Sequence, residues 1–153
     1  MTKRANHVEL APTAMQMLFE QENYLRKQFR ISKTIKLPVW ELVKIRVSQL
    51  NQCAFCIDMH SNEAINQGES IERIIGLSAW RDMPFYSEVE RLALEWAELL
   101  SSGKTINDER YNSVKETLGE HTIVDLTIAI NAINSWNRIA KVFKPEVGSY
   151  KAK

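Results

Sequence analysis

The sequence predicts an all-α protein. Three observations carry this reading. The 153 residues include only 5 glycines and 4 prolines, so chain breakers are sparse. Between them, apolar residues recur three and four positions apart, the period of an amphipathic helix. No run reads convincingly as a strand.

The pattern divides into about six or seven helices in one domain spanning residues 1–153. Residues 11–29 form the first, with Met15, Leu18, Phe19, Leu25 and Phe29 as its apolar positions. A connector over residues 31–37 ends at Pro38, which suits a first helical turn because its missing N–H would have no partner there anyway. The second helix, residues 38–51, carries Leu42, Ile45 and Leu50, widened by Val43 and Val47. Asn51-Gln52 weakens the pattern. A new helix is predicted from near Cys53 to Asn66, with Gly68 as its C′ residue. A short helix over 70–77 has Ser70 as cap and Glu72 in its first turn. Residues 78–86 are a loop holding Trp80, Pro84 and Phe85. Ser87-x-x-Glu90 reads as a capping box. It opens a helix with Leu92, Leu94, Trp96, Leu99 and Leu100 on its apolar face, stopped by Gly103. Residues 107–118 follow, capped by Asn107 or Asp108 and stopped by Gly119. The last helix, 121–143, is apolar over most of its circumference, as expected for a central helix or an oligomer interface. Pro145 ends it.

Charge and hydropathy exclude several classes. With 20 basic and 19 acidic residues the formal net charge is +1, which gives no electrostatic footprint for nucleic acid or an anionic membrane. Residues 1–10 lack the apolar core of a signal peptide, and no apolar run reaches transmembrane length. A cytoplasmic protein is expected. The only two cysteines, Cys53 and Cys56, lie three positions apart. So short a loop makes a poor structural staple. In a reducing compartment such a pair is catalytic, redox-sensing or metal-binding.

The chemistry is predicted to concentrate in residues 41–60. At ~100° per residue, positions 53, 56 and 60 of one helix fall within an arc of roughly 60°. Both sulfurs and the His60 imidazole would then look into one site. A helix N-terminus favours thiolate over thiol, and the thiolate is the nucleophile. His60 can take or give the proton. Glu41, on the preceding helix, could hold His60 or exchange protons with it, depending on the turn near Asn51. Zinc is the competing use: Cys53, Cys56 and His60 would need Glu41 or Asp58 as a fourth ligand, since no second cysteine pair exists. Asp58 and Glu63 otherwise read as solvated helix residues, His7 as part of a loose N-terminus, and His121 as a helix-start residue. The Trp and Met residues at helical spacing read as core, and Phe55 as a wall of the site or an interface residue. Trp40, Trp80, Trp96 and Trp136 offer more apolar surface than a small bundle need expose, which points to association.

At Glu41…Cys53-x-x-Cys56-x-x-x-His60 the sequence resembles the alkyl hydroperoxidase D-like branch of the carboxymuconolactone decarboxylase family. The flanks at residues 42–53, 58–61, 77–81 and 125–138 support the resemblance, which covers roughly residues 38–143. It implies an all-α fold whose subunits associate as trimers or hexamers. It implies thiol-dependent reduction of hydroperoxides without metal or flavin. By the resemblance, Cys56 is the peroxidatic cysteine, and Cys53 resolves its sulfenic acid to a disulfide. An outside dithiol of the lipoyl type restores the pair, and His60 and Glu41 relay protons. One departure stands out: Phe55 occupies the position of a second relay histidine in the best-known members. Two other readings compete. One is a non-enzymatic redox switch in an oligomeric sensor. The other is a lactone decarboxylase, a branch that does not rely on a cysteine pair.

Overall fold

The computed structural model describes residues 4–152, and among them it contains eight α-helices and no strand. They are α1 (His7–Leu10), α2 (Pro12–Ile31), α3 (Leu37–Leu50), α4 (Ala54–Asn66), α5 (Ile71–Gly76), α6 (Glu88–Ser101), α7 (Asp108–Leu118) and α8 (Glu120–Phe143). A short 3₁₀ turn, Leu77–Ala79, follows α5 where the sequence predicted loop.

The boundaries follow local chemistry. Pro38 sits in the first turn of α3. The Ser87–Glu90 capping box is fully formed, each side chain accepting from the other's backbone N–H. Ser70 caps α5 and Asn107 caps α7. Gly119 adopts φ 82°, a conformation L side chains rarely take, and so permits the sharp join between α7 and α8. One further element departs from expectation. The predicted loose N-terminus contains α1, capped by the Asn6 side chain, and His7 within it stacks on Phe143 with ring centroids 4.5 Å apart. A helix of four residues is too short to show a period in sequence.

The central helix is α3, rather than the more apolar-looking α8. Eight of its fourteen residues are buried. One face joins a core with Leu25 and Phe29 of α2, Ala93, Trp96 and Ala97 of α6, and Ile123, Leu126, Ile130 and Ile133 of α8. The other face, through Leu42 and Ile45, joins a second cluster with Ala64, Ile74, Leu77, Trp80, Tyr86 and Leu94. Helix α8 leaves Val124 and Val142 exposed. Trp40, Trp80 and Trp96 are buried within the chain, so they provide no surface for association. The large exposed apolar side chains are others, among them Ile71 and Ile75 of α5.

Candidate active site

Residues Asn51 to Cys53 decide whether the two halves of the motif meet. Helix α3 ends at Leu50, and Gln52 takes a left-handed φ of 54°, turning the chain back so that α4 packs along α3. The turn is clamped to α8. The Asn51 side-chain amide donates to Asn134 Oδ1 at 2.8 Å and to Asn137 Oδ1 at 2.9 Å, and Lys141 Nζ donates to the Asn51 carbonyl at 2.9 Å. Cys53 is the N-cap of α4, and its N–H donates back to Ser48 O at 3.0 Å.

This turn brings Glu41 to His60: Glu41 Oε2 lies 3.1 Å from His60 Nδ1, and both residues are buried. The sulfurs of Cys53 and Cys56 are joined as a disulfide, with Cα atoms 5.3 Å apart. Both cysteines are buried. Among the described residues no group of three or more His, Cys, Asp or Glu side chains is placed to hold a metal ion.

The electrostatics separate acid from base. Burial pushes the Glu41 carboxyl up, but the Lys44 ammonium and then the His60 hydrogen bond overcome it and hold Glu41 at about 2. Glu41 is therefore ionised and can only accept, so His60 Nδ1 carries the hydrogen and donates. Burial and then the Lys44 charge push His60 below its ordinary value, against the opposing pull of Glu41. The ring is neutral at pH 7, and the lone pair lies on Nε2.

Lys44 is the site residue that the motif did not reveal. Its Nζ lies 2.7 Å from Glu41 Oε1 and 3.7 Å from the centroid of the Trp40 ring. The one lysine of α3, three positions after Glu41 and among Val43, Ile45 and Val47, was the available signal.

Cys56 and His60 open onto a cavity of about 630 Å³. Its apolar walls include Phe19, Phe55, Met59, Trp136 and Ile139, while Glu22, Arg26, Lys44, Glu63 and Tyr150 supply polar groups. Cys53 does not line it. Phe55 is thus a wall, as expected. Met59 lines the cavity, and Trp136, which packs against the main core, also lines it and donates its Nε1–H to Glu22 Oε1 at 3.1 Å. Asp58 and Glu63 are not free solvated residues either. Asp58 Oδ2 accepts from the Gly148 N–H at 3.0 Å, and Glu63 accepts from the Tyr150 hydroxyl. Burial and then this contact push the Tyr150 phenol up to about 12, so it remains a donor. His121 stands in the first turn of α8, where its Nδ1 pairs with Asp125 at 3.1 Å, away from the cysteines.

The sequence profile of the carboxymuconolactone decarboxylase family matches residues 20–99. The uncharacterized Bacillus subtilis protein YdfG is 46% identical over 142 residues, 92% of this chain and 93% of its own. A crystal structure from Agrobacterium tumefaciens superposes with a TM-score of 0.85 at 32% identity, over 97% of this chain and all of that one. It is described as a protein of unknown function with a suggested antioxidant-defence role as AhpD. A Ralstonia eutropha structure, described as an alkylhydroperoxidase AhpD core, shares the fold with a TM-score of 0.80 at 13% identity, over 93% of this chain and 74% of that one. With the fold and the family profile in agreement, the chain belongs to the carboxymuconolactone decarboxylase family.

Proposed function

We propose that the chain is a thiol-dependent peroxidase and disulfide oxidoreductase that reduces organic hydroperoxides. One observation carries the reading. Cys56, and not Cys53, lines the cavity, beside a His60 whose Nδ1 is tied to ionised Glu41. That leaves Nε2 as a base one helical turn from the Cys56 sulfur. In the reduced protein His60 takes the Cys56 proton. The thiolate attacks the outer peroxide oxygen, the O–O bond breaks, and an alcohol leaves. Cys53 then displaces water from the sulfenic acid, closing the Cys53–Cys56 disulfide. A dithiol reductant of the lipoyl type reopens it by exchange. These steps need neither metal nor flavin. Such a cycle suits the cytoplasm, where dithiol donors are kept reduced. The reading includes a homo-oligomer, a trimer or hexamer, supported by the exposed Ile71 and Ile75.

The test is the free-thiol count and mass of the reduced protein before and after one equivalent of cumene hydroperoxide. Both thiols should be lost together, with recovery by a dithiol and repeated turnover. The Cys56→Ser protein should consume no peroxide, and Cys53→Ser should stop at a sulfenic acid. Sulfenic acid on Cys53 in the Cys56→Ser protein, at undiminished rate, would reverse the two roles. Two unreactive thiols would overturn the reading, and a single oxidation without turnover would favour the redox switch.

A further inference from the structure

Two carboxyls that the cycle above leaves unused line the cavity, Glu22 and Glu63, and Glu63 is engaged by the Tyr150 hydroxyl. Glu22 projects from α2 into the same space as Cys56 and His60. It differs from Glu41 in its partners. Glu41 receives an ammonium at 2.7 Å and an imidazole N–H at 3.1 Å, whereas Glu22 receives the Trp136 indole N–H alone. No cation among the described residues forms an ion pair with it: Lys44, the larger positive influence, is already engaged by Glu41, and Arg26, which lines the same cavity, is the smaller. Burial therefore dominates at Glu22 and pushes it up, helped by the Glu41 charge, although Lys44, the Trp136 bond and Arg26 pull the other way. Two carboxyls of one site are thus driven apart in acidity, an arrangement that assigns one to the base side and the other to the acid side.

The reaction has a place for such an acid. When the Cys56 thiolate attacks ROOH, the S–O bond forms, the O–O bond breaks, and RO⁻ departs with the electron pair. An alkoxide is a poor leaving group in an apolar cavity unless a proton reaches it as the bond breaks. We propose that Glu22 is the general acid that protonates the departing alkoxide, with Glu41 and His60 serving the thiol side. The sulfur is oxidised to sulfenic acid and the peroxide reduced to alcohol. Glu22 is left as carboxylate, and the proton that His60 took from Cys56 restores it through solvent. The proposal rests on the peroxidase reading.

The experiment compares two oxidants that differ in their need for an acid. tert-Butyl hydroperoxide releases a strongly basic alkoxide, while peracetic acid releases acetate, which needs no proton. In Glu22→Gln, which keeps an acceptor for Trp136, the rate of Cys56 oxidation by tert-butyl hydroperoxide should fall about 10²-fold. With peracetic acid it should stay within about twofold of wild type, since no acid is required. Glu22→Asp retains a carboxyl and should recover part of the loss with tert-butyl hydroperoxide; its ratio of the two rates carries the test if Glu22→Gln fails to fold. Equal losses with both oxidants would assign Glu22 a structural role and overturn the proposal, as would no loss with either. Wild-type protein inert to both oxidants would overturn the peroxidase reading itself.

Discussion

At the scale of single residues, the site is governed by one buried cation. Lys44 holds Glu41 ionised and adds to burial in pushing His60 below its ordinary value. Its ammonium is accommodated in the interior only because Glu41 and the Trp40 face compensate it. Removing the charge should act on His60 with a definite sign. Burial still favours the neutral ring, but the repulsion is gone and the Glu41 attraction remains, so the His60 pKa rises. A protonated imidazole cannot accept the Cys56 proton. In Lys44→Met the acidic limb of kcat/KM for an organic hydroperoxide should therefore move to higher pH, with the rate lost first on the acid side and retained at alkaline pH. A stopped-flow pH series on both proteins checks this; an unmoved or downward-shifted limb would remove Lys44 from control of the base. The four motif residues were legible in sequence because their spacing is the chemistry. Lys44 was visible only as a charge out of place. Glu22 lies 19 positions before Glu41 on another helix, and no periodicity relates the two.

At the scale of elements, the α3–α4 turn converts spacing into distance. The sequence predicted both helices almost to the residue, since Pro38, Gly68 and the apolar period mark them. It could not give the 3.1 Å between Glu41 and His60, because that depends on a left-handed residue at Gln52 and on partners from α8. Asn51 is the link: one amide serves the carbonyl oxygens of both Asn134 and Asn137. Asn51→Ala leaves two acceptors without their donor, at a cost of about 2 kcal/mol and a fall in Tm of roughly 4–8 °C for a chain this size. Asn51→Asp should be worse, since it sets a carboxylate against two acceptors. Peroxidase activity should decline in the same order, because the turn aims α4 at Glu41. Thermal unfolding of the two variants, with rates measured well below Tm, tests the link; full activity in a destabilised Asn51→Ala protein would show that the turn holds the fold without aiming the site. The capping residues Ser70, Ser87 and Asn107 were equally legible, while α1 and the 3₁₀ turn were not, each being shorter than the period that identifies a helix.

At the scale of the whole molecule, both ends of the described chain gather at the cavity. His7 stacks on Phe143, the Gly148 N–H reaches Asp58, and the Tyr150 hydroxyl reaches Glu63. No sequence pattern announces this, because residues 144–152 contain no period and their partners lie about 90 positions earlier. The consequence is an access path whose wall is partly a tail anchored by two polar contacts and the packing of Pro145 and Tyr150. Two such contacts at about 1 kcal/mol each are small beside the core, so a chain truncated after Lys144 should still fold, with Tm lower by roughly 4–8 °C. Truncation removes Pro145 and Tyr150 from the cavity wall while leaving Cys56, His60, Glu41 and Lys44 in place. The chemical step on a small peroxide should then change little, whereas a bulky one should enter more freely. The ratio of kcat/KM for cumene hydroperoxide over that for hydrogen peroxide is expected to rise severalfold in the truncated chain. Tyr150→Phe, which removes only the hydroxyl that Glu63 accepts from, should move the ratio in the same direction by less. An unchanged ratio in both would mean that the tail does not gate the cavity and that α2, α4 and α8 alone set which peroxides reach Cys56.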